Sequence, residues 1–351
     1  MYIILAILAY GILIIVHELG HFLAAKACGV KVKEFSVGLG PQLWHRQSGE
    51  TVYSLRLLPL GGFCAMEGEE EESDDPRAFT RQSGWKRFLI LFAGGAMNFL
   101  LGLLLICCFY SDAAGYSSPV IGGFQEGCPY EGDLLPGDTV LRVNGSRIYF
   151  AANFQEEAAR DPDGDLDLVI RRDGRRLRLD GYHLTPLDYT MEDGSVRTLY
   201  GISFRVERAT LFSTIKYSWR TSLGFVRMAR EGLEYLFSGQ ASVSDVTGVV
   251  GLVDIINETG QSADTTSEGV REVVFLIAFI AVNLFFMNLL PIPGLDGGHI
   301  LTLILTGIIE AVTGKKLDPR YEGFIHYIGL ILLFGLMIVV FFNDIVRIIK
   351  R

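Results

Sequence analysis

Residues 2–25 read YIILAILAYGILIIVHELGHFLAA. A membrane-spanning helix needs about 20 apolar residues, and this run is long enough. Its second half nevertheless carries His17, Glu18 and His21. Residues four apart share a helix face, so both imidazoles can point at one metal ion, and Glu18 beside them can hold a metal-bound water. Ionisable side chains at membrane depth are costly and by default mark a functional site. His-Glu-x-x-His inside a lipid-length helix therefore implies metal-assisted hydrolysis within a bilayer.

The rest of the chain fits that setting. It has 351 residues, 50% of them hydrophobic, and a mean hydropathy of +0.33, too apolar for an ordinary soluble domain of this size. Further uncharged apolar stretches run Phe88–Ser111, Val273–Leu295 and Gly323–Asn343. With the first, they predict a polytopic α-helical membrane protein of four transmembrane helices. A net charge of −9 argues against nucleic acid as a partner. The first segment is a poor signal peptide. It lacks a basic n-region, its apolar run is too long, and Lys26 occupies the cleavage region before Cys28. The five cysteines show no framework spacing and no C-x-x-C pair, so they read as small packing residues.

Between the first two spans, residues 32–63 alternate apolar and polar residues and are cut by Gly38-Leu39-Gly40-Pro41, Ser48-Gly49 and Gly61-Gly62, which predicts two or more short hairpins. An acidic stretch, Glu67–Asp75, reads as a solvated loop. Lys26, Lys31, Lys33, Lys86 and Arg87 fall on one side of the membrane, which the positive-inside rule makes cytoplasmic. The N-terminus and the segment after Ser111 are then outside. Four spans also put the basic tail (Arg347, Lys350, Arg351) outside, against the rule, although early helices usually set orientation. From Val120 to about Glu207 short strands and turns, among them Pro136-Gly137-Asp138 and Asn144-Gly145, predict a soluble insert. Leu211–Phe237 has apolar residues at helical spacing among basic ones. It reads equally as a helix on the membrane surface or one packed on the insert. Residues 238–268 read as loop with a short apolar piece, Val249–Ile256.

A catalytic zinc takes three protein ligands and leaves a position for water. The best third candidate is Asp296, in Leu289-Leu290-Pro291-Ile292-Pro293-Gly294-Leu295-Asp296-Gly297-Gly298. Prolines and glycines there break an apolar span, and irregular backbone at membrane depth must line protein or a wet cavity. By itself Asp296 reads equally as a cap for the apolar stretch Gly297–Ile309. Beside an intramembrane His-Glu-x-x-His, the metal reading prevails. His299 lies near the site but is assigned to packing or a helix surface, and His45, His183 and His326 are treated as structural. In the expected chemistry Glu18 takes a proton from water and later delivers it to the leaving amine. Residues 32–63 offer a strand edge that could hold a substrate extended. Asn283 and Asn288 could bond substrate backbone, or bond between helices.

These residues resemble the site-2 protease family of intramembrane zinc metalloproteases, in its bacterial sigma-factor-regulating branch with one PDZ domain. The likeness rests on His17-Glu18-Leu19-Gly20-His21, Gly38-Leu39-Gly40, Pro59-Leu60-Gly61-Gly62-Phe63 and Asn288 to Gly298. It implies Zn2+ held by His17, His21 and Asp296, with Glu18 as catalytic base. It implies that residues 32–63 form a membrane-re-entrant β-loop, and that Asn283, Asn288, Gly38, Gly40, Gly61 and Gly62 serve substrate binding. Leu134 to Val140 with Val143-Asn144-Gly145 looks like a PDZ core, facing outside and screening substrates by size after a first cut by a site-1 protease. Leu211–Phe237 looks like the helix that follows such a domain. The implied substrates are single-span membrane proteins, anti-sigma factors or remnant signal peptides, in a bacterial inner membrane with the active site toward the cytoplasmic side. Two departures stand out. Ala93-Gly94-Gly95 replaces the usual Ala-Gly-Pro, and Thr247-Gly248-Val249-Val250-Gly251 replaces Ser-Gly-Pro-Val-Gly.

The expected division is 1–111 for the first two helices and β-loop, 118–207 for the PDZ domain, 208–268 for the surface helix and linker, and 269–351 for the last two helices. A surface-acting, membrane-anchored quality-control zinc protease would need its third ligand in a soluble helix, and no second acidic helix motif is present. A non-catalytic PDZ scaffold would not need all four of His17, Glu18, His21 and Asp296. A metal transporter would want more intramembrane acids than Glu18 and Asp296.

Overall fold

The opening apolar run becomes one helix, α1 (Tyr2–Cys28), closed by Gly29 at φ 81, a left-handed conformation that glycine adopts without strain. The computed structural model describes every residue except 70–72, 162, 191–194, 240–246, 315–318 and 351. Glu70, Glu71 and Glu72 of the acidic stretch thus lie outside the described residues, as does part of the linker after Ser238. The chain forms two compact units, Met1–Phe109 with Thr221–Arg351, and Tyr110–Arg220.

In the first unit α1 is followed by β1 (Val32–Ser48), β2 (Thr51–Met66) and α2 (Gly84–Phe109). After the insert come α5 (Val249–Ser262), α6 (Thr266–Asn288), α7 (Asp296–Thr313) and α8 (Pro319–Lys350). The apolar piece expected in the linker is therefore the first half of a helix. Among the described residues, five helices are long and apolar enough to cross a membrane, where the sequence reading counted four. The addition is α7, 18 residues long, with a mean hydropathy of 1.2 against at least 2.1 in the other four. It begins where the prolines and glycines of residues 291–298 end α6, so the expected span to Leu295 stops at Asn288.

Small residues set how closely these helices cross. A Cβ on Gly20 of α1 would strike the Ala93 carbonyl of α2, and one on Gly102 would lie 2.7 Å from Val282 of α6. In lipid, where apolar burial drives little association, such close backbone contact is a main source of helix–helix attraction. Tyr2 packs on Gly260 of α5 and Gly269 of α6, and it joins Ala6, Leu13, Ile256 and Val273 in one buried cluster. Asp344 of α8 is fully buried and accepts from the backbone N–H of Gly248 (3.3 Å) and Gly251 (2.8 Å) at the start of α5. A Cβ at Gly248 would lie 2.8 Å from that carboxylate. The Gly-Val-Val-Gly departure thus keeps both donors and the space they need.

The β segment is more folded than simple hairpins. Two long strands meet at a turn containing Gly49 (φ 62), and both double back at glycines, β1 at Gly38 and Gly40 (φ 88 and 84) and β2 near Gly61 (φ 119). Glu34 to Val37 consequently pair with Val52 to Leu55 on one side and with Gly62 to Ala65 on the other, while Gln42 to Ser48 pair with Thr51 to Arg56. The segment 62–66 forms an edge of this small sheet. At Gly38 a Cβ would sit 2.7 Å from the Leu58 carbonyl.

In the second unit a six-stranded sheet runs β10 (Ile202–Arg208), β3 (Gly115–Phe124), β4 (Thr139–Val143), β6 (Asp165–Arg172), β7 (Arg175–His183), with β5 (Ser146–Arg147) paired to β4. Strands β8 (Leu187–Thr190) and β9 (Val196–Leu199) pair separately. Helix α3 (Ala151–Ala159) adds Phe154 to a core of Ile121, Leu134, Val140, Leu166, Leu168 and Ile170. The Asn144-Gly145 pair turns β4 into β5, both residues at positive φ. Helix α4 (Leu211–Phe237) starts in this unit, where it buries Tyr217 and exposes Phe212, Ile215 and Trp219, and from Thr221 on it belongs to the first unit, where Phe225 is buried. The cysteines form no disulfide among the described residues, and Cys28, Cys64 and Cys128 are buried.

The Pro136-Gly137-Asp138 turn is closed by charge. Asp138 is buried and accepts from Leu135 N–H at 2.9 Å and from Arg172 at 2.6 and 2.9 Å. Burial alone would raise its carboxyl; the Arg172 guanidinium and the Leu135 N–H together hold it below the usual carboxylate range. A group depressed in the folded state stabilises above its unfolded pKa of about 4 and loses that contribution as pH falls through its folded value. Hydrogen exchange on the intact protein should therefore show β4 and β6 deprotecting below about pH 4. Asp138→Asn should weaken the same strands at neutral pH by about 3 kcal/mol and flatten the acid response.

Candidate metal centre

Helical periodicity places His17 and His21 one turn apart on α1, and the break after α6 brings Asp296 to them. Their reactive atoms form a tight triangle: His17 Nε2 to His21 Nε2 3.1 Å, His17 Nε2 to Asp296 Oδ2 3.3 Å, His21 Nε2 to Asp296 Oδ2 3.5 Å. Ligands about 2.0–2.1 Å from a tetrahedral zinc stand about 3.3–3.4 Å from one another, so these three side chains fit that ion with little adjustment. Asp296 Oδ2 is buried with no hydrogen-bond donor among the described residues, a state that a bound cation relieves. Among the described residues this is the one group of His, Cys, Asp and Glu with metal-site spacing.

Each imidazole is held from behind. His21 Nδ1 meets the Ile90 carbonyl of α2 at 2.9 Å, so Nδ1 carries the proton and donates, leaving the Nε2 lone pair toward the triangle. The Asn288 amide nitrogen lies 3.4 Å from His17 Nδ1; with the amide turned over, its oxygen would accept from Nδ1 as the Ile90 carbonyl does from His21. A Cβ on Gly94 would strike the His21 ring and lie 2.9 Å from His17 Cε1. The second glycine in Ala93-Gly94-Gly95 faces Phe285 of α6, with a Cβ there 3.3 Å from its ring.

Glycines also shape the third ligand's approach. Gly294 adopts φ 95. A Cβ on Gly297 would collide with the Leu289 and Leu290 carbonyls, and one on Gly298 with the Ile292 carbonyl. The Asp-Gly-Gly order thus lets α7 start hard against the segment that precedes it. A cavity of about 750 Å³ opens over the triangle, lined by His17, Glu18, His21, Asn288 and Asp296, with Phe63, Cys64, Ala65 and Met66 along one wall. That wall is the 62–66 edge of the β sheet.

Of the sequence candidates, His17, Glu18, His21, Asp296 and Asn288 meet in this cavity. Asn283 does not line it, and its amide donates to the Phe279 carbonyl of its own helix at 2.9 Å. Gly38, Gly40 and Gly61 lie at bends of the sheet rather than on the cavity wall. Gly62 sits behind Glu18, where a Cβ would be 3.8 Å from Glu18 Cγ. His299 lines the cavity without joining the triangle, and His183 pairs with Asp165 on the insert. Sequence reasoning missed Gly20, Gly94 and the Ile90 carbonyl. Paired small residues inside an apolar span were the available signal for the first two.

Two imidazoles and a carboxylate at zinc-ligand spacing, opening on a cavity with Glu18 beside them, match the donor set of the zinc metallopeptidases. The chain matches the model of Peptidase family M50 over residues 5–336. It is 35% identical to a provisionally named zinc metalloprotease of Clostridium acetobutylicum over 98% of this chain and 97% of that one. It is likewise 35% identical to a counterpart in Clostridium perfringens over 99% of each chain. With the regulator of sigma-W protease RasP of Bacillus subtilis it shares 27% identity over 97% of each. This chain belongs to Peptidase family M50, the site-2 protease family. It is a membrane-embedded zinc metalloendopeptidase.

Gly94→Val should push both rings off their positions. Metal analysis after chelator competition should find zinc affinity lowered at least about tenfold, with helical circular dichroism unchanged.

Proposed function

We propose that this chain hydrolyses peptide bonds within the transmembrane segments of single-span membrane proteins, with His17, His21 and Asp296 as zinc ligands and Glu18 as the proton-transferring base. The observation that carries the reading is the 3.1–3.5 Å triangle, built from an apolar spanning helix and an interrupted one. Bound zinc supplies Lewis-acid polarisation of the scissile carbonyl and an acidified water. Glu18 accepts the proton of the attacking water and returns it to the amide nitrogen as the C–N bond breaks. Asn288 holds the His17 ring through Nδ1, as Ile90 holds His21.

A helical substrate hides its carbonyls in its own hydrogen bonds, so it must be drawn out before attack. The 62–66 edge beside Glu18 supports β-strand addition: its backbone groups can pair with an extended substrate and lay its carbonyls across the metal. Exposed Leu39, Leu43, Trp44, Leu57 and Leu58 suit a β-loop that dips into lipid.

Packing supports four crossings. Tyr2 packs on Gly269, so α1 and α6 start level; Asn288 reaches His17, so both run to the metal's depth. Helix α7 starts at that depth, and Ile300 joins the cluster of Ala25 and Cys28 at the far end of α1. Helices α6 and α7 then make one interrupted crossing, alongside α1, α2 and α8. The basic residues near Cys28 and Trp85 support a cytoplasmic location for that end of α1 and an outside location for the insert. The insert, over 118–207, serves as a PDZ domain that screens substrates, and α4 as a helix on the membrane surface. The near-complete match to RasP, named as a regulator of sigma-W, supports anti-sigma-factor-like substrates or remnant signal peptides, cut first by a site-1 protease, in a bacterial inner membrane.

A cleavage assay with single-span substrates tests the reading. Glu18→Gln should keep its zinc and lose about 10²–10⁴-fold in kcat; unchanged cleavage would remove Glu18 from the mechanism. Asp296→Ala should lose zinc on dialysis against chelator, and full retention would show that another group is the third ligand.

A further inference from the structure

We infer that His326 is the positioning residue for Asp296: through one imidazole, α8 holds the interrupted segment that carries the carboxylate. The inference rests on Asp296 being a zinc ligand. Asp296 Oδ2 has no hydrogen-bond donor among the described residues. The backbone on either side of the residue must therefore set where that oxygen points.

His326 ties down both sides. It is buried, and its Nδ1 accepts from the Gly294 N–H at 3.3 Å. Gly294 lies between the end of α6 and the start of α7, where the helical ladder is interrupted. A backbone donor freed at membrane depth needs such a partner. With Nδ1 accepting, Nε2 carries the proton and donates to Thr302 Oγ1 at 3.1 Å. The Thr302 hydroxyl then donates back to the carbonyl of His299 (3.0 Å) or Gly298 (3.2 Å) in the first turn of α7. The ring thus grips the chain before the ligand and after it. His299 stacks on the same ring, with centroids 3.5 Å apart and planes 10° apart. One turn along α8, Gly329 packs directly on Pro293, where a Cβ would strike the Pro293 carbonyl. The outer partners of metal ligands typically matter about 10–100-fold in metal affinity or activity.

The purified full chain in detergent provides the test, with zinc alone as the probe under chelator competition, and kcat and KM on a single-span substrate as the second readout. His326→Asn places an amide oxygen near the Nδ1 position, within reach of Gly294. His326→Gln places its amide near Nε2 and reaches only Thr302. The Gln variant should lose about 10–100-fold in zinc affinity and in kcat, with KM within about threefold. The Asn variant should stay within about threefold of the parent in both. Equal behaviour of the two variants, intact or impaired, overturns the inference. Should the Gln variant fail to elute as a single species, Gly329→Ala decides. It displaces Pro293 while leaving the His326 side chain in place, and must also lower zinc affinity; parental zinc binding overturns the role of α8. Asp296→Ala separates the two levels. If it keeps its zinc, the ligand assignment falls and this inference with it. If it loses zinc while His326→Gln does not, only the role of His326 falls.

Discussion

A buried carboxylate facing two imidazole lone pairs is the interaction on which the membrane unit depends. Three electron-rich atoms within 3.5 Å of one another repel unless protons or a cation sit between them, and the low-dielectric surroundings enlarge the penalty. The fold is organised to impose that arrangement all the same. Gly20 lets α1 and α2 touch, Gly94 leaves room for both rings, and Gly297 and Gly298 let α7 begin against the preceding carbonyls. A larger residue would push α1 from α2 at Gly20, crowd the rings at Gly94, and push α7 from the preceding segment at Gly297 or Gly298. A bound cation would relieve that repulsion, which the fold otherwise imposes among apolar helices.

The same economy governs access. Lipid-facing helices must satisfy their backbone internally, so an exposed donor or acceptor row at membrane depth has to be justified by use. The 62–66 segment lies along the cavity beside Glu18, and its Met66 N–H is met by the Glu69 carboxylate at 3.3 Å. It exists because β1 and β2 double back at Gly38, Gly40 and Gly61, which leaves 62–66 and 42–48 each paired on a single side. The interrupted α6–α7 segment is the second irregular backbone beside the cavity, and its Gly294 N–H is met by His326.

The local chemistry was legible in the sequence because it is periodic. His17 and His21 share a face by helical spacing alone, and Glu18 follows from its adjacency. Asp296, at a break of two prolines and three glycines, reads by itself equally as a helix cap, and it was recognisable only beside the intramembrane His-Glu-x-x-His. Long-range placement was less legible. Asn283 and Asn288 look alike in sequence, five residues apart; one bonds its own helix and the other reaches His17. His326 has no partner at any recognisable spacing, since Gly294 and Thr302 come to it from another helix. Glycines at 38, 40 and 61 signalled turns correctly, but nothing local says that two strands fold back into four paired segments.

The sequence by itself determined that the chain belongs in a membrane, that α1 carries two histidines on one face with a carboxylate beside them, and that a second span is interrupted at a carboxylate. Each of these is a property of one segment, fixed by hydropathy, helical period or the backbone limits of proline and glycine. Only the tertiary structure decided that the carboxylate and imidazoles meet at ligand spacing, which sheet edge faces them, and which side chains hold the rings and the interrupted segment. Those outcomes depend on helix crossings set by contacts between residues hundreds of positions apart, and no local pattern encodes them.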